Sequence, residues 1–205
     1  MNQALIKVCG MRDADNIREV EGLGIDMMGF IFWPKSSRYA GERPSYLPRL
    51  CKRVGVFVDA DIDDITLKCR YFGLDVIQLH GHETPAFVSR LSALRCQLIK
   101  AFPIASADDL RQAARYEGYV DYFLFDTKGK AMGGNGEKFD WDVLSGYDAD
   151  TPFFLSGGIG PDDAKKVNDF RHPKCIGIDL NSRFELSPGF KDTRKLKEFI
   201  NNLSF

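Results

Sequence analysis

An α/β fold, specifically a single-domain (β/α)8 barrel, is the architecture this sequence predicts, and three features predict it. Short apolar runs alternate with helically spaced segments along the whole chain. The runs are apolar nearly throughout, the pattern of parallel strands covered on both faces. Eight strand–helix units fit within 205 residues, at the small end of a fold that usually takes about 250. A doubly wound open sheet is the alternative arrangement of the same units.

The first run, ALIKV, leads into Cys9 and breaks on Gly10. Side chains alternate along a strand, so Leu5, Lys7 and Cys9 share one face while Ile6 and Val8 share the other. A lysine in such a run is costly unless something polar faces it. DADNIREVEGL supplies the helix that follows. DMMGFIF is the second strand, and the proline-interrupted RPSYLPRLCK after it predicts only a very short helix. RVGVFV with DIDDITLKCRYF, DVIQL with ETPAFVSRLSAL, and QLIKAF with SADDLRQAARYE make the next three units. DYFLF with DWDVLSG, PFFLS with GPDDAKKVNDF, and CIGIDL with KDTRKLKEFINNL complete the series. No further repeat, low-complexity tract or linker marks a second domain.

Composition narrows the function. A net charge of −1 argues against a nucleic-acid or membrane surface, so any anionic partner must be met by local positive features. The five cysteines are scattered without CxxC spacing, which fits free thiols in a reducing compartment. With no apolar leader and no window of the ~18–20 residues that cross a bilayer, the expected location is cytoplasmic. A monomer and a homodimer both fit.

Barrel chemistry sits on the loops after the strands. Asp126 follows DYFLF and Asp179 ends CIGID, each with the parity to point into the mouth or, as aspartates often do, to cap a loop. A glycosidase would also use two acids, but on the fold's common pattern it would carry them where this chain has His80 and Ser156. HGHE has a metal-like His-x-His spacing, yet the chain holds only 3 histidines, so no metal site is expected and His80 is read as a residue that orients a ligand. GKAMGGNGEKFDW is neither a Walker loop nor a dinucleotide fingerprint; it reads as a mobile flap or a surface loop. FFLSGGIGPDDAKKV ends a strand on Gly157-Gly158 and starts a helix at Pro161, a place for backbone N–H groups and a helix dipole to meet a phosphate. IDLNSRFE adds Asn181, Ser182 and a second helix start. Arg38, in GFIFWPKSSRY, is either a surface arginine or a bidentate clamp for a carboxylate, with Phe32, Trp33 or Tyr39 near to cover an aromatic ring.

KVCGM, GFIFWPKSSRY, VGVFVD, IQLHG, GGNGEKFDW, SGGIGPDDAKKV and IGIDLNSRFELSPGFKD, in that order, resemble the phosphoribosylanthranilate isomerase family of tryptophan biosynthesis over nearly the whole chain. The resemblance implies an Amadori rearrangement of a small phosphorylated aminosugar. Carried over by motif, Cys9 is the general base, Asp126 the general acid and Arg38 the holder of the anthranilate carboxylate. Backbone at Gly157-Gly158 and Asn181-Ser182 holds the phosphate. The substrate is its own electron sink, so no metal, flavin or other cofactor is implied. Asp126 must then stay protonated near neutrality, through burial or a neighbouring carboxylate. Lys7, one layer below Cys9, is expected to favour the thiolate or to neutralise Asp179 across the barrel.

Three departures stand out. Ser36-Ser37-Arg38 replaces the usual Ser-Pro-Arg and predicts a less rigid loop. Asn135 interrupts a Gly-Gly-Thr-Gly pattern, and Arg183 replaces a glycine common after the phosphate-loop serine. Other phosphosugar barrels fit less well. Metal-dependent epimerases need several His and Asp ligands at strand ends, and indole-forming synthases need several inward lysines and glutamates, where this chain offers Lys7 and Lys100. A non-catalytic phosphate binder would need neither Cys9 nor Asp126.

Overall fold

The computed structural model describes residues 4–127 and 141–204. Strands β1 (Leu5–Cys9), β2 (Met27–Ile31), β3 (Lys52–Phe57), β4 (Val76–Leu79), β5 (Gln97–Ile104), β6 (Tyr122–Thr127), β7 (Phe153–Ser156) and β8 (Cys175–Leu180) pair in parallel in chain order. β8 then returns to β1, giving the closed (β/α)8, or TIM, barrel. Outside it run α1 (Ala14–Glu21), α2 (Ile62–Phe72), α3 (Pro85–Arg90), α4 (Ala107–Ala114), α5 (Ala164–Asp169) and α6 (Thr193–Asn201). A hairpin of β9 (Glu185–Ser187) and β10 (Phe190–Lys191) follows β8. The glycine-dense stretch read as a flap or a surface loop spans 129–141 and lies outside the described residues except for Trp141.

Strand alternation sorts the side chains into two shells. Cys9, Met27, Val54, Val56, Val76, Ile99, Ala101, Leu124 and Phe154 fill the interior. Their neighbours in sequence, among them Val8, Met28, Phe30, Leu98 and Phe123, join the larger core under the helices. At the strands' N-terminal ends one device repeats. The Asp26, Asp75 and Asp121 carboxylates, each just ahead of a strand, accept from the N–H of Ile6, Arg53 and Leu98 on the preceding strand at 2.8, 2.9 and 2.7 Å. These donors would otherwise lack a ladder partner.

Three local expectations are corrected. RPSYLPRLCK forms no helix. Pro44 and Pro48 offer no N–H, and the buried Glu21 carboxylate instead accepts from the Arg49 and Leu50 N–H groups and the Tyr46 hydroxyl. DWDVLSG forms a 3-10 helix, Trp141–Gly146. Lys100 does not point inward. Ile99 and Ala101 take the interior, so Lys100 faces the helices, where its Nζ lies 3.2 Å from Glu83 Oε2 and donates to the Gly81 carbonyl at 2.8 Å.

Glu83 also accepts from the N–H groups of Asp59 and Gly81 at 2.9 and 3.0 Å. Glu83→Ala therefore strands a buried cation and two loop donors, and urea unfolding is expected to show a loss of about 3–5 kcal/mol. A loss below about 1 kcal/mol, the range of an exposed pair, would show that this ion pair does not hold the loop.

Candidate active site

Cys9 ends β1 with its side chain buried at the barrel mouth. β2 leaves it room: a Cβ added to Gly29 would lie 2.7 Å from the Cys9 sulfur. One layer below, Lys7 is fully buried and its Nζ lies 2.8 Å from Asp179 Oδ1. The two are register partners on adjoining strands β1 and β8, so Lys7 neutralises Asp179 beside it and not across the barrel. Ser156 Oγ donates to the other Asp179 oxygen at 3.2 Å.

Charge and burial compete at the sulfur. Burial pushes the Cys9 thiol above its ordinary pKa and wins, although the ammonium groups of Lys7 and Lys191 pull the other way. The Lys7 ammonium also resists desolvation, yet Asp179 more than compensates and holds it above the usual lysine value. The free site therefore rests as a thiol on a charge-paired floor.

Asp126 ends β6 and lines the same pocket as Cys9, together with Gln78 and His80 from the end of β4. His80 Nε2 lies 3.6 Å from Asp126 Oδ2, and the Gln78 amide sits 3.4 Å from the other ring nitrogen, Nδ1. With that amide as donor to Nδ1, the Nε2 hydrogen faces Asp126. Asp126, its side chain 36% exposed, thus has an imidazole neighbour in place of the burial or neighbouring carboxylate expected of it. His82 turns away to Asp59, 3.1 Å distant. Among the described residues, Gln78 Oε1 is the buried side-chain polar atom left without a partner.

Gly157, Gly158, Asn181 and Ser182 converge on this pocket, joined by Arg183. Gly157 and Gly158 hold φ of 92° and 68°, left-handed conformations that strain any other residue. The helix start expected here is weaker than a full α-helical N-terminus. Pro161–Asp163 is a 3-10 turn, and the Asp163 carboxylate already accepts the Gly160 N–H at 2.8 Å. After β8 a second 3-10 turn, Ser182–Phe184, takes the helix's place. Arg183 makes no ion pair among the described residues, and its side chain leads past Gly160 into the mouth.

Arg38 is not the free clamp that its motif suggests. Its Nε and Nη2 donate to Glu185 at 2.9 and 2.6 Å, and Nη1, which reaches Ser37 Oγ at 3.5 Å, is the end with capacity for another carboxylate. Lys191, fully buried in its side chain, donates to Glu185 Oε1 and to Asn181 Oδ1, both at 2.7 Å. Burial alone would raise Glu185, but the hydrogen bonds from Arg38 and Lys191 hold it below the ordinary carboxylate range. Sequence reasoning missed Glu185, Lys191 and Gln78. ELSPGFK carries a hairpin signal at Pro188-Gly189, and pairing β9 with β10 would have placed Lys191 opposite Glu185. Of the aromatics, Phe32 is corrected: it packs outward against Phe57 and Phe72, while Ile31 lines the pocket. Trp33 is 38% exposed.

Fold and site together define a barrel enzyme whose mouth joins a thiol, a carboxylate and a glycine-backed anion cradle. Residues 6–202 match the family model of N-(5'-phosphoribosyl)anthranilate (PRA) isomerase. N-(5'-phosphoribosyl)anthranilate isomerase of Phocaeicola vulgatus is 50% identical over 199 residues, covering 97% of each chain. That of Parabacteroides distasonis is 48% identical, covering 97% of this chain and 93% of its own. The crystal structure of phosphoribosyl anthranilate isomerase from Thermotoga maritima superposes with a TM-score of 0.82 at 31% identity over 98% of both chains. A phosphoribosyl anthranilate isomerase in complex with reduced 1-(o-carboxyphenylamino)-1-deoxyribulose 5-phosphate superposes at 0.79 with 29% identity, again over 98% of both. The chain belongs to the N-(5'-phosphoribosyl)anthranilate isomerase family, the aldose–ketose isomerases of tryptophan biosynthesis.

The 2.7 Å approach at Gly29 generates a test. Gly29→Ala must displace the Cys9 sulfur, so kcat is expected to fall about 100-fold with KM changed less than about threefold. Equal loss in both constants would mean that the methyl group disturbs the whole mouth and not the sulfur alone.

Proposed function

We propose that the protein converts N-(5'-phosphoribosyl)anthranilate to 1-(2-carboxyphenylamino)-1-deoxyribulose 5-phosphate, with Cys9 as general base and Asp126 as general acid. The observation that carries this is the convergence of Cys9 and Asp126 on one pocket with the Gly157-Gly158 and Asn181-Ser182 loops. Asp126 delivers a proton to the furanose oxygen as the C1'–O bond breaks and the anilino nitrogen supplies its electron pair. The iminium so formed draws electrons from C2', and the Cys9 thiolate removes the C2' hydrogen. Those electrons close the C1'=C2' bond and neutralise the nitrogen. The resulting enolamine takes a proton at C1' as its C2' hydroxyl becomes the ketone.

His80 positions Asp126 through the contact of its Nε2 with the carboxylate. The phosphate lies against the backbone of Gly157-Gly158 and Asn181-Ser182, with Arg183 adding a charged contact that a glycine cannot make. The anthranilate carboxylate meets the Nη1 end of Arg38. The base form of Cys9 is the thiolate, which makes Lys7 and Lys191, whose charges favour it, part of the machinery.

In the fluorescence-decay assay of enzymatically generated phosphoribosylanthranilate, Cys9→Ala and Asp126→Asn should each lower kcat by about 10³-fold or more. Retention of activity within tenfold in either variant would remove that residue from its role. Lys7→Gln keeps a hydrogen-bond donor for Asp179 but removes the positive charge. The Cys9 pKa should then rise further, so the rising limb of kcat/KM moves to higher pH and activity at pH 7 falls. A limb that stays in place would exclude Lys7 from tuning the thiol. Arg183→Gly should raise KM about tenfold with kcat nearly unchanged; an unaltered KM would mean that Arg183 does not touch the phosphate.

A further inference from the structure

The β9–β10 hairpin sets Lys191 opposite Glu185. The Asn16 side chain of α1 fixes that placement through the Lys191 backbone, accepting its N–H at 2.7 Å and donating to its carbonyl at 2.9 Å. The Lys191 side chain is fully buried, and its Nζ donates to Glu185 Oε1 and to Asn181 Oδ1, each at 2.7 Å. Glu185 Oε1 also accepts from Arg38 Nε at 2.9 Å and from the Gly189 N–H at 3.1 Å. Its Oε2 accepts from Arg38 Nη2 at 2.6 Å. Two cations thus share one carboxylate. The cluster stands beside Cys9, since a Cβ added to Gly10 would lie 2.9 Å from both Arg38 Cδ and Asn181 Oδ1.

Packing alone would not require a cation here. Arg38 and Glu185 by themselves sum to zero, and a second carboxylate brought to the same guanidinium would meet Glu185 as a like charge. Salt does little to screen that repulsion when Glu185 is buried at 5% exposure. With Lys191 on Glu185 Oε1 the trio carries one net positive charge, and the repulsion is offset. Lys7 is committed to Asp179 at 2.8 Å. Arg12, a further cation beside this loop, is exposed and donates to the Ser37 carbonyl at 3.4 Å, where water weakens its field. Burial lowers the Lys191 ammonium from the ordinary lysine pKa, and the contact with Glu185 opposes that shift.

We infer that Lys191 is a positioning residue for carboxylate selectivity: it offsets the charge of Glu185 so that the Nη1 end of Arg38 stays open to a carboxylate on the ligand's ring. This role rests on the Arg38 assignment proposed above and deepens it. Arg38 makes the contact, and Lys191 decides whether an anion is welcome there.

Two ligands that cannot rearrange test it: the proposed product with its ketone reduced to an alcohol, and the same compound without the ring carboxylate. The readout is the ratio of their dissociation constants, in which shared sugar and phosphate contacts cancel. The wild type should favour the carboxylate by about 30-fold. Lys191→Gln keeps a hydrogen-bond donor but loses the charge, and its ratio should fall to within about threefold of unity. The double variant Glu185→Gln/Lys191→Gln restores the net charge and should recover a ratio of about tenfold or more, a rescue that a merely structural lysine would not allow. Glu185→Gln alone removes the anion and should keep at least the wild-type ratio, which decides the matter even if Lys191→Gln does not fold. A Lys191→Gln ratio near the wild-type value, a double variant without recovery, or a Glu185→Gln ratio near unity would each overturn the role of Lys191 and leave that of Arg38 standing. A wild type that binds both ligands alike would remove the carboxylate from Arg38 itself, and the role of Lys191 with it.

Discussion

The buried Lys7–Asp179 pair is the constraint on which the rest of the site depends. It joins the first strand to the last at the seam where the barrel closes, with both side chains out of water. Either group alone at that depth would be severely penalised, so β1 and β8 hold one register and the sulfur one layer above is fixed with them. The pair also sets the electrostatics under Cys9. Asp179 cancels most of the Lys7 charge, so the sulfur feels a dipole and not a bare cation. Burial therefore prevails in the free protein and the thiol keeps its proton.

A second network does for Arg38 what its own loop was not expected to do. Ser36-Ser37-Arg38 lacks the proline that would stiffen this turn, yet the backbone closes on itself. Ser36 N–H donates to the Trp33 carbonyl at 2.9 Å, and Ser36 Oγ accepts the Arg38 N–H at 3.1 Å. Glu185 then grips the guanidinium, Lys191 grips Glu185, and the Asn16 side-chain amide of α1 donates to the Lys191 carbonyl at 2.9 Å and accepts the Lys191 N–H at 2.7 Å. One helix, one hairpin and one loop thus share the aim of a single side chain. The hairpin replaces local rigidity with tertiary contacts.

Legibility in the sequence followed the range of the interaction. Strand alternation is a property of neighbours, so all eight strands, the closed barrel and the inward set of Lys7, Cys9, Asp126 and Asp179 could be read directly. Lys100 was misread because parity had to be counted from a strand start that the sequence leaves uncertain by a residue. Helix expectations failed where side-chain partners capture the backbone donors, one far along the chain and one only three residues away. Glu21 captures the donors of residues 49–50, and Asp163 caps the turn that was to present a helix N-terminus. The identity of the partners was hidden for the same reason. Arg38 and Glu185 stand 147 residues apart, and no periodicity connects them.

The distribution of charge is what would let a protein of net charge −1 receive the proposed ligand, with its phosphate and carboxylate, beside a buried thiol. In the interior, salt does little to screen one anion from another. In the paired groups, Lys7 balances Asp179, while Arg38 and Lys191 face the single carboxylate of Glu185 and leave one positive charge over; Asp126 adds a further carboxyl at the mouth. Arg183 adds a second positive charge beside the glycine loops. The excess cations therefore stand beside the Asn181 and glycine loops, and the Lys7–Asp179 floor under the sulfur is neutral in sum. On the proposed mechanism, local cations would meet the ligand's anions and leave the Lys7 and Lys191 fields to oppose the effect of burial on Cys9. A uniformly basic mouth would bind the same anions but could not keep these tasks apart.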